Sequence, residues 1–297
     1  MGDEAGEPRG GFIIFDQELK LVGSWSEERS PFGYDFWYQP HKGVMVSTGW
    51  GAPAAFSRGF DPADMAAGRY ADALYVWDWE RRALVQSISL GADSAVPLEV
   101  RFLHDPDADV GFVGAALASN VLRFYKQPAE AGAGDSGGVG VWAAEVAIRQ
   151  EWTPVEGWAL PSMPPLITDI LISLDDRFVF FSNWLRGDVC QYDIRDPAKP
   201  VLVSQLYLGG SLCKGSGVVV TDGPLRGSQP EPLVVRGKQL HGGPQMLQLR
   251  RACVCAPCCC ACAAADAHAL PHAAWMAPGC TSPARSTAPG TSSSTRR

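Results

Sequence analysis

This sequence predicts an all-β fold of the propeller type, incomplete in its number of blades, and three observations carry that expectation. Short apolar segments recur along the chain, separated by turns rich in Gly, Pro and Asp. One stretch, residues 166–208, holds four such segments in succession, which is the content of one propeller blade. The second half of that stretch then recurs elsewhere in the chain, as a repeat architecture requires.

Within that stretch Ile170–Ser173 reads as a first strand, Leu174–Arg177 as a tight turn and Phe178–Ser182 as a second strand. Asn183–Gly187 leads to a third strand, Asp188–Asp193, and Ile194–Lys199 turns the chain into a fourth, Val201–Leu208. The third-strand pattern is an alternating apolar run ending in aromatic-Asp. It appears at Gly11–Asp16, Leu74–Asp78 and Val189–Asp193, with a weaker copy at Asn120–Tyr125 partnered by Trp142–Ile148. The closing Asp has a chemical reason, since its carboxylate can accept backbone N–H groups of the following turn. First and second strands are expected at Tyr34–Tyr38 with Val44–Thr48, and at Glu99–His104 with Gly111–Leu117. Two insertions loosen the spacing: Ala52–Arg69, which predicts a short helix capped by Asp61, and Pro128–Gly140, which predicts a flexible loop. The competing reading is three unrelated hairpins, and the first- and second-strand segments, falling where a blade needs them, favour the repeat.

The expected inventory is half a blade at the start, three whole blades, and the first strand of another at Gly243–Leu249. Residues 1–10 form a Gly-rich flexible start, 11–249 the partial propeller, and 250–297 a tail of different composition that is expected to be disordered. Such an arc leaves apolar faces and a strand edge uncovered. The tail holds seven cysteines between Cys253 and Cys280 and a single aromatic, Trp275. Cys253, Cys255, Cys258, Cys259, Cys260 and Cys262 could bind soft cations. The favoured alternative is that arbitrary translation of repetitive DNA produced the tail, with metal binding incidental.

Composition excludes several classes. No apolar run approaches the roughly 18 residues a membrane-spanning helix needs. The acidic start lacks the layout of a secretory signal. Net charge is −7, and the first 250 residues carry 21 basic against 31 acidic side chains, which disfavours nucleic acid as a partner. Only Cys190 and Cys213 precede the tail, consistent with a reducing, cytoplasmic setting.

Five strings, Gly33–Thr48, Leu74–Trp79, Pro97–Phe112, Leu166–Asp193 and Pro230–Leu249, together resemble the selenium-binding protein family, whose members include methanethiol oxidases. The resemblance covers roughly residues 8–249 and implies a propeller-type all-β fold and a cytosolic home. It also implies copper-dependent oxidation of methanethiol by O₂ and water to formaldehyde, hydrogen sulfide and hydrogen peroxide, with selenium association. Family proteins are longer at both ends, so Cys- and His-bearing regions are expected to be missing and activity impaired. Where the family often reads Asn-Trp-Leu-His-Gly-Asp, this chain has Arg186 in the His position, and a protonated guanidinium cannot ligate copper.

His104 matches the family string and offers a metal ligand or base, against the blander role of a turn-capping His. His41 sits in an exposed turn and receives no role; His241 falls in a Gly-rich loop, and His268 and His272 fall in the tail. Copper chemistry needs two or three converging imidazole or thiolate donors, which one matching His cannot supply. Cys213, beside Lys214, is the candidate thiol for selenium or substrate chemistry, and Cys190 lies on a third strand. Two aromatic groups, Tyr34–Phe36–Trp37–Tyr38 and Tyr75–Trp77–Trp79, are expected to pack between blades rather than line a funnel. Three functions compete: a copper-dependent thiol oxidase acting on a small thiol, a non-catalytic selenium-binding or protein-interaction propeller, and a fragment without function.

Overall fold

The computed structural model describes residues 2–91, 94–128, 138–240 and 242–249; the tail from Arg250, with its cysteines, His268 and His272, and also His241, lies outside the described residues. The described chain is all-β. It opens with a hairpin, β1 (Ile13–Phe15) and β2 (Leu21–Ser24). A first four-stranded sheet follows, made of β3 (Phe36–Gln39), β4 (Val44–Ser47), β5 (Ala73–Asp78) and β6 (Ala83–Ser89). The second sheet is β7 (Pro97–Phe102), β8 (Val110–Ala115), β9 (Asn120–Lys126) and β10 (Trp142–Arg149). After the short strands β11 (Thr153–Glu156) and β12 (Ser162–Met163) comes the third sheet, β13 (Ile167–Ile172), β14 (Phe178–Asn183), β15 (Asp188–Asp193) and β16 (Val201–Tyr207). β17 (Val219–Val220) returns to pair with β11, and β18 (Val234–Val235) with β19 (Lys238–Gln239) makes a last hairpin. Each four-stranded sheet is an antiparallel meander in sequence order.

The strand pattern explains the stacking. Side chains alternate across a strand, so a strand apolar at every position must be covered on both faces. In β4, Val44 and Val46 meet Val100, Phe102, Leu122 and Phe124 of the second sheet, whereas Met45 turns toward Trp77, Phe12 and Trp25 on the other side. In β8, Val113 joins the first cluster and Phe112 joins Ile167, Ile170, Val179 and Phe181 of the third sheet. Each fully buried Val or Phe contributes on the order of 1.5–3 kcal/mol. The sheets are therefore glued face to face, while the fourth strand β16 is exposed along almost its whole length.

Several expectations change in detail. Gly243–Leu249 does not form a strand, because among the described residues no neighbouring strand offers it a ladder. It lies extended against the third sheet, where Asp169 accepts the Leu247 N–H, and Thr168 and Ser182 hydroxyls donate to the Gln245 carbonyl at 3.1 and 2.9 Å. The first strand of the third sheet begins three residues earlier than the apolar run suggests, at Ile167, because its backbone already pairs with β14 there, Ile167 opposite Asn183 and Asp169 opposite Ser182. Asp61 does cap a helix, α2 (Pro62–Ala66), through its bond from Ala63 N at 2.9 Å, and an unpredicted α1 (Pro53–Phe56) precedes it. Of the aromatics, Tyr75 and Trp77 are buried, but Tyr34, Phe36, Trp37 and Tyr38 are half exposed.

Candidate functional site

His104 follows the end of β7, and a residue far along the chain fixes it there. Asp176, in the β13–β14 turn with φ 55°, accepts the backbone N–H groups of His104 and Asp105 at 2.7 and 2.8 Å. Its Oδ1 also lies 2.9 Å from the His104 ring Nδ1. The carboxylate thus caps the 104–106 turn and orients the imidazole, leaving only Nε2 to face outward. A carboxylate-oriented imidazole is the ordinary companion of a metal ligand, yet among the described residues no group of three or more His, Cys, Asp or Glu is arranged to hold a metal ion.

Cys213 lies in the loop between β16 and β17, buried, its thiol donating to the Gly210 carbonyl at 3.4 Å. The adjacent Lys214 ammonium is paired with Glu231 instead of being held for the thiol. Cys213 borders a cleft of about 390 Å³ together with Trp184, Leu185, Ser211, Gly215 and Leu240. The cleft's backbone is drawn tight by glycines. A Cβ on Gly243 would stand 1.8 Å from the Trp184 carbonyl oxygen, and one on Gly210 2.3 Å from Gly187 Cα.

Arg186, next in the chain to Leu185, is buried. Its Nε donates to Asp188 Oδ1 at 2.7 Å and its Nη2 to Asp188 Oδ2 at 3.0 Å, with Gln150 Oε1 as a further partner. Asn183 and Gln205 add bonds to the same carboxylate at 3.1 and 2.7 Å. Cys190 completes the group, its thiol 3.2 Å from Asp188 Oδ2 and raised well above the usual thiol range, first by burial and then by the charge of Asp188. Such a thiol stays protonated and unreactive. The guanidinium is thereby neutralised, and within this network Asn183 Oδ1 is left buried without a hydrogen-bond partner.

A third group was not anticipated. Asp35, just before β3, with Glu99 and Arg101 of β7 and Asp169 of β13, gather along the first strands of the three sheets. Arg101 Nη1 donates to Asp35 and Nη2 to Glu99, each at 2.5 Å, and its guanidinium lies 4.6 Å from the Trp37 ring centre. The signal was present in the sequence as three matching triplets, Tyr34-Asp35-Phe36, Leu98-Glu99-Val100 and Thr168-Asp169-Ile170. Each sets an acid before an apolar residue at the same register position.

The described chain is an all-β array of stacked four-stranded antiparallel meanders with a cysteine-bordered cleft. The chain belongs to the selenium-binding protein family: the 56 kDa selenium binding protein family (SBP56) matches residues 1–253. It is 53% identical over 252 residues to a methanethiol oxidase of Xenopus tropicalis, covering 84% of this chain and 51% of that protein. It is 52% identical over the same length to a methanethiol oxidase of Homo sapiens, with the same coverage of 84% and 51%. A solved selenium-binding protein from Sulfolobus tokodaii superposes with a TM-score of 0.67 at 31% identity, over 84% of this chain and 51% of that one. The chain spans about half the length of these relatives.

Proposed function

We propose that this chain is an arc of a β-propeller from a methanethiol-oxidase-type protein of the cytosol, and that its part in the chemistry is to receive a small thiol. The activity proposed for the whole protein converts methanethiol, O₂ and water to formaldehyde, hydrogen sulfide and hydrogen peroxide. The identity of about half to methanethiol oxidases over 252 residues carries this reading. The propeller reading draws support from the three consecutive meanders and their face-to-face cores. No helix of the described residues is long and apolar enough to cross a membrane.

Cys213 is proposed as the residue that meets thiol or selenium, because it lines a cleft roomy enough for a small thiol and walled partly by Trp184 and Leu185. Copper does not fit the described residues. His104 offers a single imidazole nitrogen, Arg186 is a committed cation, and Cys190 is held protonated. No reaction step is therefore assigned to copper in these residues. That misfit favours a second reading, a non-catalytic selenium-binding or protein-interaction propeller.

The two readings separate in one assay. Purified chain is mixed with methanethiol under O₂, with peroxide and hydrogen sulfide followed together, and is separately equilibrated with selenite for elemental analysis. Oxidase function predicts both products in equal amounts. Retained selenium that falls by half or more in Cys213→Ser, without product, supports the binding role. Neither product nor retained selenium removes both readings.

A further inference from the structure

The acidic cluster on the first strands is short of one positive charge. Asp35, Glu99 and Asp169 face a single guanidinium, Arg101. Asp35 and Glu99 crowd two carboxylates onto that one guanidinium, an arrangement that favours a proton on one of them. Burial, and next the charge of Asp35, raise Glu99 to about 7. With that proton in place, one negative charge is still uncompensated. It falls on Asp169 when that group is ionised, which burial opposes by raising its carboxyl above the usual carboxylate range; Asp169 is 1% exposed, within electrostatic reach of Tyr34, Asp35 and Arg101, and its Oδ1 has no hydrogen-bond partner. A buried carboxylate oxygen without a partner is destabilising, since its desolvation is left uncompensated.

The same position in the first sheet is complete. Asp35 Oδ2 accepts the Val100 N–H of the next first strand at 3.0 Å and also the Arg101 guanidinium. Asp169 Oδ2 accepts the Leu247 N–H in the same way, but the place corresponding to Arg101 is held by Gln248, which is exposed. The missing partner is thus a cation at a defined point. Beside it stands Tyr34, 42% exposed, its ring edge-on to Trp50 at 6.0 Å. Carboxylates next to an aromatic face are the chemistry that holds organic ammonium ions. Metal ions are disfavoured, since among the described residues no set of three or more ligating side chains has the geometry to hold one.

We propose that this cluster is a binding site for one small organic ammonium ion, which donates to Asp169 Oδ1 and to the Asp35–Glu99 pair and rests its alkyl part against Tyr34. Binding draws the shared proton off Glu99, so affinity falls as pH drops below neutrality.

The test is calorimetric titration of methylammonium chloride into the full chain at pH 7, in two buffers of different ionisation enthalpy, against sodium chloride at equal concentration. Expected are saturable binding beyond the sodium control, fractional proton release, and affinity weaker by about tenfold or more in Asp169→Asn. No saturable heat above sodium overturns the proposal, as does unchanged affinity in an Asp169→Asn variant that melts like the parent, or displacement of methylammonium by stoichiometric Mn²⁺. Should Asp169→Asn fail to fold, Glu99→Gln decides the matter. Abolished proton release supports the site, and unchanged release refutes it.

Discussion

At the scale of single residues, the protein spends its buried charges in sets. Asp188 is the hub of one, gathering Arg186, Asn183, Gln205 and the Cys190 thiol. Glu99 belongs to the other, and its environment has a measurable consequence. Its carboxyl titrates near 7 in the folded chain against 4.5 in the unfolded one, so between those values the folded state binds the extra proton. Glu99 therefore makes stability fall as pH rises from about 4.5 to 7. Glu99→Gln should leave the urea midpoint nearly unchanged at pH 5 and raise stability by about 1–3 kcal/mol at pH 8. A variant equally shifted at both pH values would contradict the shared proton. Much at this scale was open to sequence reasoning, yet Arg186 could be read only for what it cannot ligate. That it closes a salt-bridge network with Gln150, 36 residues earlier, depends on how β10 meets β15.

At the scale of elements, one device recurs twice, once joining the first sheet to the second and once joining the third sheet to the extended 243–249 segment. Thr48, just after β4, donates its hydroxyl to the Leu98 carbonyl at 2.6 Å, and Ser182 of β14 donates to the Gln245 carbonyl at 2.9 Å. Both hydroxyls sit at the same register position, one residue past the pairs Phe36–Ser47 and Ile170–Phe181. The second sheet breaks the pattern with Gly114, where a Cβ would stand 2.7 Å from Ile167 Cγ2. Close packing there replaces the hydroxyl bond. Thr48→Val and Ser182→Ala should each cost about 1 kcal/mol in denaturant unfolding. In addition, Ser182→Ala should speed hydrogen exchange at Leu247, whose segment relies on side-chain bonds instead of a ladder. If Leu247 exchanges no faster, the 243–249 segment is held by something else. The meanders were readable from alternation and turn residues, and Asp61 from its capping position. The β11–β12–β17 sheet and the β18–β19 hairpin were not, because strands of two to four residues carry too few positions for a period to show.

At the scale of the whole molecule, the described residues end on an uncovered flank. β16 exposes Val201 by 64% and Leu202, Val203 and Leu206 by about half each, on a strand whose outer edge has no partner among the described residues. An edge of this kind invites pairing with another chain. Light scattering should show concentration-dependent association, reduced by Val203→Lys, which places a charge on that edge; a monodisperse parent at high concentration would show the flank to be covered. The sequence by itself determined the repeat of four-stranded meanders, the apolar-on-both-faces character of the central strands and the kinship with selenium-binding proteins, because each is written in local periodicity or contiguous strings. Only the tertiary structure decided that His104 is held by Asp176, that Lys214 is spent on Glu231, and that three acids converge around Arg101. The first and third of these depend on the stacking of one sheet on the next, which brings together residues some 70 positions apart, and the Lys214–Glu231 pair on how the loops after β16 fold back over 17 residues.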